Sequence, residues 1–522
     1  MKTLCLGFAP LFVSMLLGCG DPSGQVTSTS TGGDTKPLAL ALPQAMDGAM
    51  WANPFTYPEI PLHVSVTGTP SHVDVVFDGK TIAAVDDGGG TWTARLAIGG
   101  MKDGDYQVKV NAEGDGAMPA AVEATLVLGS EGRQLTVYDE VGMARSPQIV
   151  LRDGHLVLTW LDRSAAGNAR LYMSRVDGAG RFIGDRVTLV QSATSEVLWA
   201  FVAHGASSIG VLYKELGVPY KTFFKLVDAT GKELAAPVAL DPAGMDGSWG
   251  GDIAYDGSGY VAVWRSFDGM ANELHWARFD EKTGAMSNSV VVAAAGSGNP
   301  IGGFDPFTFL KVKPSGDLSI VTYVREHWSD LLGLGVPRSE MAVVSASGAV
   351  VASGEIGDPS EFFWHHESRI FDVGGQLVSL HIASDLNDPN TNPERAFYAS
   401  KVLPNGTITK GDLGKKMFTA LDAREEPHFT AHPSAFGALM WLDDRKYSVD
   451  VSTGHIDLYV ALVNDDLTTR EPRVFEHVSF YSGLAELNGV AVGTNIPMFW
   501  VDRRHSVGIE SKWELYFDTA WY

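Results

Sequence analysis

Short apolar runs alternate with polar turns from about residue 37 to the end of the chain. Typical runs are Leu156–Leu161, Val261–Trp264 and Ile496–Val501. They are too short for helices and too continuous for strands with one solvated face, which favours strands buried on both faces. Gly and Asp are frequent between the runs, as expected for turns. The pattern therefore predicts an all-β protein.

The apolar runs recur as copies of one unit. The segment "HLVLTWLD" has seven versions, spaced about 50 to 65 residues apart, which begin at His155, Ser208, Gly259, Leu318, Leu377, Phe436 and Asn495. A further strand, such as "RLYMSRVDGAG", follows each of them. A single unit of this kind cannot bury both of its faces, so the copies must stack. We expect residues 130–522 to form a seven-bladed β-propeller.

The seventh copy ends at Tyr522, directly after its third strand. A strand-like segment that belongs to none of the seven copies, "RQLTVYDE", lies upstream of the first copy at Arg133–Glu140. We predict that it pairs with the strand that holds Leu515–Phe517 and closes the ring, which would protect the exposed strand edges.

Residues 38–129 show shorter strands with period-two alternation, and Asp78-Gly79 marks a hairpin turn. The stretch "FDGKTIAAV…TWTARLAIGGMKDGDYQVKVNA" resembles bacterial Ig-like modules of surface proteins. The expected fold is thus all-β: a small Ig-like β-sandwich followed by a seven-bladed β-propeller closed by an N-terminal strand.

The N-terminus carries Lys2 and then an apolar stretch that ends in Leu-Leu-Gly-Cys19. This ending resembles the lipobox of bacterial lipoproteins. The resemblance implies a signal peptide at residues 1–18 and lipidation of Cys19. Residues 19–37 are mostly Gly, Ser, Thr and Asp, which is typical of a flexible tether.

These features predict an exported lipoprotein of the bacterial cell envelope that contacts the membrane through its lipid anchor. Gly20 favours the outer membrane over the inner one. With 62 acidic and 39 basic residues, the net charge is -23, which repels nucleic acid. Of the two cysteines, Cys5 lies in the predicted signal peptide and Cys19 is the first residue of the tether. We therefore expect no disulfide framework.

A Trp-x-Asp motif with a following arginine occurs three times, always at the end of a predicted second strand. The residues are Trp160, Asp162 and Arg163, then Trp441, Asp443 and Arg445, then Trp500, Asp502 and Arg503. They are candidates for binding an anionic or carbohydrate ligand. In the structural alternative, each Asp caps a loop and each Arg pairs with it or with the next blade. Repetition in step with the blades favours the structural alternative.

The connections between blades hold a second group of candidates. "SEFFWHHESR" supplies Trp364, His365 and His366, and "AREEPHFTAH" supplies His428. Histidines can transfer protons or bind a metal, but no pair here has a recognised metal-ligand spacing. The loop that begins at Ser384 is rich in Asp and Asn, so calcium is a candidate ligand. No cofactor is required by any motif.

Three functions fit the sequence. The favoured one is a binding or interaction module that presents its propeller rim to a glycan or an envelope protein, because no catalytic motif is evident. The alternative is a lyase-like, polysaccharide-degrading enzyme in which His365, His366, His428 and Arg445 carry the reaction. A pure scaffold is the third. The sequence favours a protein that is not an enzyme and does not identify the ligand.

Overall fold

A computed structural model shows an all-β protein with no helix in any described segment. The structure describes residues 37–115, 117–136, 142–164, 169–192, 196–217, 220–267, 271–295, 307–329, 334–356, 363–385, 395–403, 414–420, 427–443, 455–470, 473–479, 486–502 and 512–522. The signal peptide, Cys19 and the tether up to residue 36 lie outside these ranges. No helix with the length and hydrophobicity of a membrane span occurs in the described part of the chain.

The first strands form two sheets that face one another across a shared core. They are β1 Ala39–Ala41, β2 Ala49–Ala52, β3 Glu59–Thr67, β4 His72–Phe77, β5 Lys80–Ala83, β6 Val85–Gly88, β7 Thr91–Ala97, β8 Gly104–Glu113 and β9 Ala120–Leu128. One sheet has the order β1-β3-β7-β6 and the other β2-β9-β8-β4-β5. The alternation read from the sequence is visible in β3, where every second residue is buried.

The remaining chain is a series of antiparallel sheets made of consecutive strands. The first three sets are β11 Gly142–Arg152, β12 His155–Ser164, β13 Arg170–Val176 and β14 Phe182–Gln191; β15 Glu196–His204, β16 Ile209–Leu216, β17 Lys221–Val227 and β18 Glu233–Ala239; and β19 Asp246–Tyr255, β20 Gly259–Phe267, β21 Asn272–Asp280 and β22 Met286–Ala295.

Three further sets and a final group complete the series. They are β23 Phe307–Ser315, β24 Leu318–Ser329, β25 Leu334–Ser345 and β26 Val350–Glu355; β27 Phe363–Val373, β28 Gln376–Asp385, β29 Arg395–Lys401 and β30 Lys415–Ala420; β31 His428–His432, β32 Ala435–Asp443, β33 His455–Val463 and β34 Arg473–Ser479; and β35 Leu487–Gly489, β36 Ile496–Asp502 and β37 Lys512–Ala520.

Each repeated segment of the sequence forms the second or third strand of its sheet, as predicted. In β20 every residue from Gly259 to Ser266 is buried, and the indoles of Trp160, Trp441 and Trp500 are fully covered. Covering both faces of these strands removes large apolar areas from water, which contributes about 1.5–3 kcal/mol for each large side chain.

The predicted pairing between the upstream segment and the last strand is confirmed. β10, Arg133–Gln134, runs antiparallel to β37 with Arg133 opposite Phe517 and Gln134 opposite Tyr516. The Leu135 amide donates to the Leu515 carbonyl (2.7 Å), and the Leu515 amide donates to Thr136 Oγ1 (2.9 Å). Along the same edge, β37 also pairs with β11 in parallel at Lys512 and Trp513, while β36 occupies its opposite edge, so the first and last sets share one sheet.

The N-terminal sheets are fused to the first and last sets of the repeat. The Trp521 indole donates to the Trp51 carbonyl (2.8 Å), and the Gly178 amide donates to the Met46 carbonyl (2.9 Å). Asp47 pairs with Arg175 (2.9 Å) of β13, the strand that pairs with β12. These contacts lie at the end of the first set where β12 begins, about 30 Å from the end where this ten-residue strand finishes.

Candidate functional site

The first strands of five successive sets share an irregularity near their N-terminal ends. The register shifts between Arg145 and Gln148 in β11, Val197 and Trp199 in β15, Gly247 and Gly251 in β19, Thr308 and Lys311 in β23, and His365 and Glu367 in β27. A bulge bends its strand and redirects side chains. Ser146 and Phe309 hold positive φ there (49° and 53°), a strained conformation that often accompanies functional sites.

A cavity of about 280 Å³ opens where these bulges meet, and we call it the first-strand cavity. Its lining comes from β11, β15, β19, β23, β27 and the segment around β35. The polar and aromatic side chains on its wall are Arg145, Ser146, Gln148, Trp199, Phe201, Phe309, Lys311, Arg369, Glu486 and Asn488. The cavity therefore joins residues that are far apart in the chain.

The charge of the cavity wall is opposite to that of the whole chain. Three cations, Arg145, Lys311 and Arg369, line it with one carboxylate, Glu486. Lys311 Nζ lies 3.7 Å from Asp252 Oδ1 and over the Phe201 ring, and Arg369 pairs with Glu367. Arg145 is partly buried and makes no ion pair with any described residue. This set attracts an anion.

Two further side chains add donor and acceptor groups at the cavity. Trp199 is 6% exposed, and its buried indole N–H has no acceptor among the described residues. His428, the first residue of β31, lies near Arg369 of the wall, with its ring edge-on to Phe371. Burial, followed by the charges of Arg369 and Lys313, lowers the pKa of His428 to about 3. Its imidazole is thus neutral near neutral pH, and its unprotonated nitrogen is a weak base.

The first Trp-x-Asp motif has a structural geometry. The Trp160 indole donates to Asp162 Oδ2 (3.3 Å), and Arg163 pairs with Glu196 of the next set (2.8 Å). The Arg163 contact is the one that the structural alternative describes, whereas the bond to Asp162 comes from an indole rather than from a loop amide. Asp502 is fully buried opposite Glu514 on β37, while Asp443 ends β32 opposite Asp457. Arg445 and Arg503 lie outside the described residues.

Of the proton-transfer candidates, only His428 has a described side chain. Trp364, His365 and His366 belong to β27, with His365 at the bulge, but their side chains lie outside the description. The Asp- and Asn-rich loop after Asp385 is also outside it. Within the described segments, no group of three or more His, Cys, Asp or Glu side chains is arranged to hold a metal ion.

The repeat pattern does not identify Arg145, Trp199, Lys311, Arg369 or Glu486. The repeat is evident in the second and third strands, whereas the cavity is lined mainly by first strands. The first strands could have been singled out by their charged residues, since "ARSPQIVLR" and "FLKVKPS" place cations beside apolar residues.

No protein-family model and no curated protein matches the chain. Solved structures do. An α-L-arabinanase of Penicillium chrysogenum, in complex with arabinobiose, shares 11% identity at a TM-score of 0.40, covering 62% of this chain and 93% of its own. A GH93 α-L-arabinofuranosidase of Fusarium graminearum shares 8% at 0.40, covering 62% and 92%. The polysaccharide lyase Uly1 shares 10% at 0.40, covering 72% and 89%.

The comparisons correct the functional expectation. The hypothesis of a binding or interaction module that is not an enzyme is wrong, because these similar structures are glycosidases and a polysaccharide lyase. At these identities and TM-scores the similarity is one of fold, and the chemistry has to come from the residues of this chain. The protein is an all-β chain whose structural neighbours have propeller-type glycosidase, lyase and neuraminidase folds.

Proposed function

We propose that this protein is a carbohydrate-active enzyme that degrades an acidic polysaccharide, with the first-strand cavity as its active site. The observation that carries the proposal is Arg145, a partly buried cation without an ion-pair partner among the described residues, in a cavity with two more cations. A guanidinium stays charged at all working pH values, and it is costly to bury without a counter-ion. The carboxylate of a uronate sugar would supply that counter-ion.

β-Elimination is the reaction that fits these groups. Arg145 binds the uronate carboxylate and stabilises the negative charge that develops on it when the neighbouring C–H bond breaks. Neutral His428 accepts that proton, and the electron pair forms a C=C bond. The glycosidic C–O bond at the next carbon breaks, and its oxygen takes a proton back from the His428 imidazolium. No water is consumed, and the new end of the chain is unsaturated.

The proposal includes the architecture and location inferred from the sequence. Residues 130–522 form a seven-bladed β-propeller and residues 38–129 an Ig-like β-sandwich, which the consecutive antiparallel sheets and the β10–β37 pairing support. Residues 1–18 are a signal peptide, Cys19 carries lipid, and residues 19–37 tether the enzyme to the envelope, in the outer membrane. Growth with a radiolabelled fatty acid tests the anchor, because Cys19→Ala protein would stay unlabelled.

The enzyme proposal is tested on purified residues 38–522 with acidic and neutral polysaccharides, with and without added calcium. New reducing ends report cleavage, and the ultraviolet absorbance of an unsaturated product reports elimination. We expect cleavage of a uronate-containing substrate. Arg145→Met should lower kcat/KM by about 10²-fold, the usual loss when one charge-stabilising group is removed.

Arg170→Met is the matched control, because Arg170 is an exposed arginine of β13 outside the cavity, and it should keep the wild-type rate. New reducing ends without ultraviolet absorbance would replace elimination by hydrolysis. An unreactive wild-type protein across the panel, or an Arg145→Met protein as active as wild type, would overturn the proposal.

A further inference from the structure

A second cavity of about 200 Å³ adjoins the first, between β11–β13 and β15. We call it the side cavity. It shares Arg145 and Leu198 with the first-strand cavity, so the two form one continuous depression with Arg145 at the boundary. Each cavity alone is smaller than the roughly 300–1,000 Å³ of a usual small-molecule site, whereas together they reach that range.

The side cavity has an apolar floor and one charged edge. Met143, Leu161, Ala169 and Val197 contribute the floor. At the edge, Arg163 and Glu196 form an ion pair at 2.8 Å that joins two neighbouring sheets. The Glu196 side chain is 18% exposed and that of Arg163 is 52% exposed, so both can reach a ligand while they hold each other in place.

This combination suits a sugar ring. One face of a pyranose is lined by C–H groups, which pack on apolar side chains, and its hydroxyls donate to a carboxylate and accept from a guanidinium. A rigidly paired edge loses little entropy on binding, because its rotamers are already fixed. A free anion, by contrast, has no apolar face that could pack on the floor of the side cavity.

We propose that the side cavity is a second subsite, which binds the sugar residue next to the one that reacts, on the side away from the bond that breaks. This inference rests on the proposed function. A substrate that fills both cavities is then an oligosaccharide or polysaccharide of at least three residues, and Arg145 binds the carboxylate at the boundary of the two cavities.

The test compares kcat/KM on a series of acidic oligosaccharides from the shortest cleaved length upward. Two variants act on the subsite only: Met143→Trp fills the apolar floor, and Glu196→Gln changes the edge without changing its shape. We expect each to lower kcat/KM on long oligosaccharides about tenfold, to leave the shortest substrate near the wild-type rate, and to shift the product lengths. Arg170→Met serves as the control, and melting temperatures confirm folding.

Equal losses on short and long substrates would overturn the subsite and leave the proposed function standing. A second readout is independent of turnover: calorimetric titration of His428→Ala protein with the same series. Affinity should rise when the second residue is added, and Met143→Trp should abolish that rise. Binding that does not depend on length would overturn the subsite, and a wild-type protein without activity in the first assay would overturn the proposed function separately.

Discussion

His381 and His428 are both held neutral by burial, but His428 lies near Arg369, a residue of the first-strand cavity. His381 is fully covered, between the hydroxyls of Ser379 and Ser339, the latter 3.3 Å from its Nδ1. His428 instead stands near Arg369, which lines the cavity. The same chemical state therefore has different consequences at the two residues: it affects stability at His381 and, in the proposed reaction, proton transfer at His428.

The pH–rate profile should report the low pKa of His428. Because burial and nearby cations lower it to about 3, the imidazole remains a base far below the ordinary histidine range. We expect the acid limb of kcat/KM in the free enzyme to fall well below pH 6.5, as long as the protein stays folded. A limb centred at pH 6 to 7 in stopped-flow or initial-rate data would assign the base to another residue.

His381 should make folding stability fall as the solution becomes acidic. Burial lowers its pKa to about 3, whereas the unfolded chain has the ordinary value near 6.5. Below pH 6.5 the unfolded state therefore binds the extra proton, and stability is lost between pH 6.5 and the folded pKa. We expect about 1–2 kcal/mol less stability at pH 5 than at pH 7.5 from this residue.

Urea titrations at the two pH values measure that loss, with His381→Gln as the comparison. The variant removes the titrating group but keeps polar atoms for the two serines, so its stability should depend less on pH than that of the wild type. An unchanged difference between pH 7.5 and 5 would show that His381 does not contribute.

At the scale of strands, the sequence predicts those that are buried on both faces. β20 and β36 are apolar almost throughout, so their runs stand out. β26 cannot be recognised from the sequence, because it is an outer strand with mostly exposed residues. The first strands are hard to recognise for another reason: β11 and β23 combine bulges with charged residues, which break any simple periodicity.

β10 depends on a small number of contacts, so its pairing can be tested through one hydroxyl. Thr136 is 3% exposed, and its Oγ1 accepts the Leu515 amide proton of β37. Thr136→Val keeps the shape of the side chain and leaves that buried N–H without an acceptor, which should cost about 1–3 kcal/mol of folding free energy.

The matched control is Thr81→Val in β5, where the side chain is exposed and no buried donor loses its partner. That change should stay within about 0.5 kcal/mol of the wild type. Equal effects of the two substitutions in urea titrations would mean that the pairing of β10 with β37 adds no measurable stability.

At the scale of the molecule, the residues of the candidate site are too far apart in the sequence to form a catalytic motif. Arg145, Lys311, Arg369 and Glu486 come from four different sets of strands and meet only when the sets are assembled. The repeat and its closing strand can be predicted from periodicity, because burial imposes them locally. Which side chains meet in the cavity depends on the bulges and on which strand of each set faces inward. Neither can be read from a single sequence.

The N-terminal sheets share one hydrophobic cluster with the first and last sets of the repeat. A single cluster of buried apolar side chains extends from Leu38 and Trp51 to Phe517 and Trp521. Trp51 packs edge-on against Phe517, and its carbonyl accepts the Trp521 indole proton. Such an interface is more like the inside of a domain than the polar contact of two mobile domains.

Residues 38–522 should therefore unfold as one cooperative unit. We expect a single calorimetric transition, and Trp51→Ala should move the whole of it to lower temperature, with a loss of about 3–5 kcal/mol for the cavity left in the shared core. Phe55→Ala is the control, because Phe55 is 80% exposed in the same N-terminal region and should leave the transition in place. Two transitions, of which Trp51→Ala shifts only the one belonging to the N-terminal sheets, would instead mean that this region folds separately from the repeat it contacts.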